Sequence, residues 1–254
     1  MRDQIIQLLQ QLRFHGMAEV LQRVLDEAQR HGHAVEQVMY QLLQEEYRYR
    51  QERSLAYRLK QAKIPWAWTL ETFPYERQPS VNKSQFQSLA GLDFVQRAEN
   101  IVLIGPPGTG KSGLASGLLR QALLNGYRGR FYPAQELLDE LYASLADRST
   151  SKLLNRLSAY DLLQIDELGY LTLNREQVNA FFKLMDLRYG RRATLITTNL
   201  EYEEWYELFQ RKALVDALLD RLQHHCTTIR LSGPSLRATD PQSAPPTSET
   251  PPPK

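Results

Sequence analysis

Residues 105–112, Gly105, Pro106, Pro107, Gly108, Thr109, Gly110, Lys111 and Ser112, fit the pattern G-x-x-x-x-G-K-[S/T] at every fixed position. Glycines let such a backbone curl until several N–H groups and the start of the next helix point at one polyanion, so the stretch reads as a phosphate cradle that Gly113 extends. Lys111 would reach the β- and γ-phosphates of a nucleoside triphosphate, and the Ser112 hydroxyl would bind Mg²⁺. Further along, the apolar run Leu162, Leu163, Gln164, Ile165 ends in two acids, Asp166 and Glu167. Asp166 is placed to hold Mg²⁺, and Glu167 to orient and polarise the attacking water. Asn199 follows a β-rich run and can hydrogen-bond the γ-phosphate or that water, or can simply start a turn. Arg221, in Asp220-Arg221-Leu222, cannot easily reach its own phosphate loop if the chain takes its usual course; a neighbour's loop is within its reach. The chemistry these types suit is attack of water on a triphosphate, with Lys111 and Glu167 at its centre.

Two acids and a loop so far apart in sequence can meet only at the carboxyl edge of a parallel sheet. The chain supplies the strands. Residues 100–104 form a short apolar run before the loop, and residues 111–124 a helical pattern ending at Gly126. Residues 130–134 read as a second strand, residues 135–145 as a helix, and a polar turn at 147–152 leads to a further short helix. Residues 161–166, 193–198 and 227–231 complete a parallel set, with a helix over 213–223. Gln164 is a polar insertion in a strand that otherwise reads as buried, and the sequence offers no reason for it.

The N-terminal part is different in kind. Residues 1–30 read as two amphipathic helices broken around Gly16, and a second break at His31-Gly32-His33 precedes a long helix that ends before Pro65. Two histidines alone lack the ligands of a metal site, so they read as a solvated turn. Residues 65–98 mix aromatics with Pro74 and Pro79 and read as a linker with one short helix. Phe73 or Tyr75 there could lie against an adenine ring, although simple packing is the preferred reading. Beyond residue 237 come six prolines and polar residues with nothing to bury, which predicts disorder. The expected domains are therefore a helical domain at 1–64, a linker at 65–98, a core at 99–237 and a tail at 238–254.

A chain of 254 residues can bury a core without staples, and its single cysteine excludes an internal disulfide framework. No secretory leader or membrane-length apolar run appears, which predicts a soluble, cytoplasmic protein without membrane partners. A net charge of +2 identifies no nucleic-acid binder, so that role would need local patches. Two are available. Arg48, Arg50, Arg53, Arg58, Lys60 and Lys63 are interleaved with tyrosines against the acid Glu52, and Arg148, Thr150, Lys152 and Arg156 surround the polar turn. Both suit a DNA backbone, and both also suit an ordinary solvated surface.

Taken together the motifs resemble the AAA+ ATPases, within them the branch of DnaA-type initiators and DnaC-type helicase loaders, and most closely the IstB proteins that assist certain insertion sequences. The resemblance rests on residues 43–62, the phosphate loop, Ile165-Asp166-Glu167-Leu168-Gly169-Tyr170 (the Walker B run), Thr197-Thr198-Asn199-Leu200, Trp205 and Leu218-Leu219-Asp220-Arg221-Leu222. It implies an α/β fold with a five-stranded parallel sheet behind a small all-helical N-terminal domain. It implies ATP and Mg²⁺ as ligands, Asn199 as sensor 1, Arg221 as an arginine finger offered to the next subunit, and a DNA path near residues 148–156. The implied function is an ATPase that forms homo-oligomers on double-stranded DNA and works with a partner transposase. The departure from the pattern is at the end: only residues 232–237 precede the tail, so the usual helical lid is absent or vestigial and Arg237 lacks the aromatic that normally precedes it.

Two other functions fit less well. A helicase loader would share the core and use residues 1–63 on a replicative helicase. A small-molecule kinase lacks an acceptor arrangement. GTP specificity would need an acid after Asn82-Lys83, which is missing.

Overall fold

The computed structural model describes residues 1–65, 67–169 and 171–239. Tyr170 and residues 240–254, the greater part of the tail expected to be disordered, lie outside the described residues; residues 238 and 239 belong to a short 3-10 turn, Leu236–Thr239. The chain divides into two compact units, Met1–Lys60 and Gln61–Lys254, a boundary four residues before the expected one. Among the described residues no helix is long and apolar enough to cross a membrane.

The first unit is helical: α1 (Arg2–Gln11), α2 (His15–His31) and α3 (Val35–Ala62), whose last two residues pass the boundary. Met17, Leu21, Val24 and Leu42 form its core, with Ile6, Leu9, Phe14 and Val38 packed around them. The expected break at Gly16 is displaced. The chain turns instead at residues 12–14, where Arg13 takes a left-handed φ of 62°, and Gly16 lies inside the first turn of α2. The glycine serves close packing. A Cβ there would sit 2.7 Å from Tyr49 Cβ and 2.8 Å from the Glu45 carbonyl oxygen, because α3 passes directly over it.

The second unit begins with α4 (Lys83–Leu89) and α5 (Asp93–Gln96) and then builds an α/β sheet. Its elements are β1 (Asn100–Ile104), α6 (Lys111–Leu124), β2 (Gly129–Pro133), α7 (Ala134–Ala146), α8 (Thr150–Ser158), β3 (Leu162–Asp166), α9 (Arg175–Arg188), β4 (Ala193–Thr198), α10 (Trp205–Phe209), α11 (Lys212–His224) and β5 (Cys226–Arg230). All strand pairings are parallel, in the order β2-β3-β4-β1-β5. β1 and β4 are buried throughout, as strands covered by helices on both faces must be. The register pairs Ile104 with Thr198 and with Arg230, and Ile165 with Ile196, so β1, β3 and β4 end at one edge. β2 and β5 each start one residue earlier than the pattern predicts.

Residues 67–98 are not a free linker. They contain two α-helices and a 3-10 helix at Tyr75–Arg77 where one short helix was expected, and Phe73, Phe86 and Phe94 are buried in the second unit. Trp68 and Leu70 lie on α6 at Gly113 and Gly117, one turn apart, where any side chain would collide with them. At the opposite end of the sheet, buried Arg188 donates to the carbonyls of Leu157, Tyr160 and Ala193 and to the Thr194 hydroxyl. It gathers the ends of α8, β3, α9 and β4 into one polar knot.

Candidate functional site

The loop between β1 and α6 starts at Gly105, whose N–H donates to the Thr198 carbonyl and so ties the loop to the tip of β4. Gly108 and Gly110 have φ of 81° and 91°, a region that L side chains avoid, and this lets the backbone turn inward before α6 begins. Buried Thr109 locks the turn by donating its hydroxyl to the Pro106 carbonyl at 2.8 Å. Lys111 Nζ donates to the carbonyls of Gly105 (2.7 Å) and Pro106 (2.8 Å), which holds a cation at the centre of the curl. Burial lowers its pKa, with Arg237 acting in the same direction and Asp166 and Glu167 opposing.

Asp166 is 3 % exposed at the end of β3. Burial raises its pKa, while hydrogen bonds from Thr197, Ser112 and Gln164 favour the charged form. Thr197, on the neighbouring strand, joins the two acids: its hydroxyl donates to Asp166 Oδ1 at 2.7 Å and accepts from the Glu167 N–H at 2.9 Å. Glu167 has a φ of 59°, strained for a side chain of this kind, and the Thr197 contact together with Leu168 N–H on the Thr197 carbonyl keeps it there. Gln164 now has an explanation. Its Oε1 accepts from Ser116 of α6 at 3.2 Å and its Nε2 approaches Asp166 Oδ1 at 3.5 Å, so it links the helix to the acid beneath the loop.

A pocket of about 430 Å³ lies over the loop. Lys111, Ser112 and Glu167 form its polar wall, with Gly108, Gly110 and Gly113 in the floor. Trp68, Leu236 and Arg237 also line it. The aromatic at this pocket is therefore Trp68. Phe73 is buried below, against Gly110, and stacks edge-on with Trp68 and Tyr75. Arg237, which lacks the aromatic that normally precedes it, nevertheless lines this pocket. Leu236 N–H donates to the Gly108 carbonyl, and Arg77 and Gln78 hold the carbonyls of Leu236 and Pro234, which brings the short segment before the tail onto the loop.

The residues fit a nucleoside triphosphate with Mg²⁺. A cradle with a buried ammonium faces a pocket of suitable size, and the Ser112 hydroxyl and Asp166 carboxylate in mutual contact offer the few hard oxygens that Mg²⁺ takes from protein. Asn199 stands at the adjacent strand tip, its amide oxygen against Gly169. Arg221 is elsewhere. It pairs with Asp186 of α9 at 2.8 Å, lies over the Tyr189 ring and is not in the wall of this pocket.

The two basic segments fare unevenly. Arg48 is paired with Glu45, and Arg50 with Glu46 at 2.6 Å, acids that lie just ahead of the segment. Arg53 donates to the Tyr49 hydroxyl. In the second segment Arg156 is paired with Glu140, and the Thr150 hydroxyl exchanges hydrogen bonds with Ser144. Arg148 and Lys152 remain exposed beside it.

This sheet order, with the loop, the acids of β3 and the polar tip of β4 at one edge, defines the AAA+ class of P-loop proteins. The fold is shared with the DnaC helicase loader (TM-score 0.58, 22 % identity, covering 67 % of this chain and all of that one) and with the replication initiator DnaA bound to AMPPCP and single-stranded DNA (TM-score 0.57, 17 % identity, covering 67 % of this chain and 51 % of that one). Within that class, the family model described as IstB-like ATP binding protein matches residues 7–244, and the chain belongs to this family. It is 36 % identical over 237 residues to an ATP-binding protein of insertion sequence IS21 from Pseudomonas aeruginosa, covering 93 % of this chain and 89 % of the relative. It is 32 % identical over 238 residues to that of IS232 from Bacillus thuringiensis subsp. berliner, covering 94 % and 95 %.

Thr197, Gln164, Ser116 and Trp68 escaped the sequence reading as site residues. A polar residue inside an apolar strand was the one available signal, and it pointed at Gln164.

Proposed function

We propose that this chain is an Mg²⁺-dependent ATPase that helps an insertion sequence to transpose. Several copies assemble on target duplex DNA with little sequence preference, remodel or bend it, and recruit and stimulate the element's transposase. The observation that carries the chemistry is the convergence of Lys111, Ser112, Asp166 and Glu167 at one sheet edge, two of them joined through Thr197. The setting comes from relatives described as insertion-sequence ATP-binding proteins.

In this reading the backbone N–H groups of residues 105–113 and the start of α6 take the phosphates. Lys111 keeps one donor beyond the two used on loop carbonyls and places it on the β- and γ-phosphates. Ser112 and Asp166 would hold Mg²⁺, which when bound neutralises charge developing on the phosphates. Glu167, fixed by its backbone, orients the water and takes up its proton. Asn199 positions the same water or the γ-phosphate. Trp68 receives the base, and Arg237 adds a cation to the phosphate end. The Asp186–Arg221 pair leaves the guanidinium partly exposed, 35 % by side chain, so that it can be presented to a neighbouring copy's phosphates.

The test is ATP turnover against protein concentration, with and without random-sequence duplex. Turnover per subunit should rise with concentration and with duplex. Lys111→Ala should abolish nucleotide binding and assembly, and Glu167→Gln should trap an ATP-bound oligomer visible by electron microscopy. Full turnover from a strictly monomeric sample would overturn the role given to Arg221.

A further inference from the structure

The first unit contains a pocket of about 340 Å³ that the ATP chemistry does not use. It is lined by Arg13, His15, Glu46, Tyr49, Arg50 and Arg53. Three guanidinium groups thus face one small volume in company with a single acid. That acid is already neutralised: Glu46 is 4 % exposed, accepts from the Met17 N–H at 3.2 Å and from Arg50 Nε at 2.6 Å, and its pKa is lowered by these bonds against the opposing effect of burial. Arg53 lies over the Tyr49 ring and reaches its hydroxyl. Arg50 lies over Phe14, and its outer nitrogen reaches the Arg13 carbonyl at 3.4 Å. No carboxylate within ion-pair distance answers Arg13 or Arg53 among the described residues.

Arg13 and Arg53, which have no acid of their own among the described residues, repel one another, and the turn that brings Arg13 in is held at a left-handed φ. Glu46 sets the geometry by fixing Arg50, and the remaining N–H groups suit a tetrahedral oxyanion, to which guanidinium forks bind in pairs. The Tyr49 hydroxyl can donate as a further contact. Lys60 lies seven residues beyond Arg53 on the same face of α3, about 10 Å along the helix axis, a separation that a polyanion spans and a free ion does not.

We propose that this pocket is a phosphodiester seat of the first unit: it takes one backbone phosphate of the bound DNA, and Lys60 contacts the same strand further on. The assignment rests on the reading of the chain as DNA-binding and adds to it a discrete site centred on Arg13 and Arg53.

The test uses the full chain loaded with a non-hydrolysable ATP analogue and a fluorescent random duplex, titrated at several KCl concentrations. Removing both charges, Arg13→Gln with Arg53→Gln, should weaken binding about tenfold or more at moderate salt and lower the slope of log affinity against log salt by about one, since the pocket seats one phosphate and each phosphate contact contributes close to one. Affinity for the ATP analogue should not change. The variant Arg13→Lys with Arg53→Lys, which keeps charge and loses the forks, should restore the salt slope while recovering only part of the affinity. Equal duplex binding by wild type and the glutamine variant overturns the seat and leaves DNA binding standing. Failure of the wild type itself to bind duplex overturns both. Inorganic phosphate alone is the remaining arm: if calorimetry finds it bound by wild type and not by the glutamine variant, while duplex affinity is the same in both, the pocket belongs to a free ion and the proposal falls.

Discussion

Thr197 holds the two acids of the site in register through a single hydroxyl, which makes it a sharper probe than either acid. In Thr197→Val the shape is kept, but the buried Asp166 loses a donor and the Glu167 N–H an acceptor, each at about 1–3 kcal/mol when nothing replaces it. We expect ATP turnover to fall by one to two orders of magnitude, about 1.4 kcal/mol for each factor of ten, with nucleotide affinity changed far less. Single-turnover kinetics beside equilibrium binding would separate the two. Gln164→Met fills similar volume and removes the link from Ser116 to Asp166. Its effect should appear as a raised Mg²⁺ requirement, and unchanged Mg²⁺ dependence would show that Gln164 only fills space. Lys111 sets a pH limit. Burial lowers its pKa, so the ammonium is lost at a lower pH than for an ordinary lysine, and nucleotide affinity should decline on the alkaline side before a solvent lysine would titrate. In Asp166→Asn a charge that favours the ammonium is gone, and the same decline should begin at still lower pH, measured with a fluorescent ATP analogue.

At the scale of elements, glycines decide two close approaches. Gly16→Ala gains roughly 0.5–1 kcal/mol of helix propensity, but the new methyl meets α3 backbone at 2.8–2.9 Å, and overpacking of that kind costs about 1–3 kcal/mol. The second effect is larger, so the first unit should unfold at lower temperature by circular dichroism while the ATP-binding unit is unaffected. A gain in stability would mean that α2 and α3 are free to separate. The same logic explains why residues 67–98 were misread. Aromatics and prolines without a period look like a linker, yet Phe73, Phe86 and Phe94 find their cover only once the sheet and α6 exist. In the basic stretch of α3 two arginines have partners just ahead of it: Glu45 and Glu46 lie three and four residues before Arg48 and Arg50, the helical spacing at which they pair.

For the whole molecule the decisive question is where Arg221 acts. Because it is tied to Asp186 and Tyr189 and lies outside its own phosphate pocket, a function in catalysis requires a second copy. Arg221→Ala should bind ATP and fail to hydrolyse it, with loss of about 10³-fold if the guanidinium meets the transferring phosphate. Mixing it with Glu167→Gln should restore part of the activity, since a Glu167→Gln subunit still binds ATP and assembles and can lend its arginine to the intact loop of an Arg221→Ala neighbour. Absence of any recovery would place Arg221 outside the chemistry. By itself the sequence determined the phosphate loop, the strand ending in Asp166 and Glu167, and the parallel α/β class. Each of these is written in contiguous residues whose backbone and hydrophobic pattern act locally. Only the tertiary structure decided that Thr197 joins the acids, that Gln164 answers Ser116, that Trp68 walls the pocket and that Arg237 returns to it. Those contacts cross between strands, helices and chain ends far apart in sequence, and no local pattern carries information about a partner that folding alone brings near.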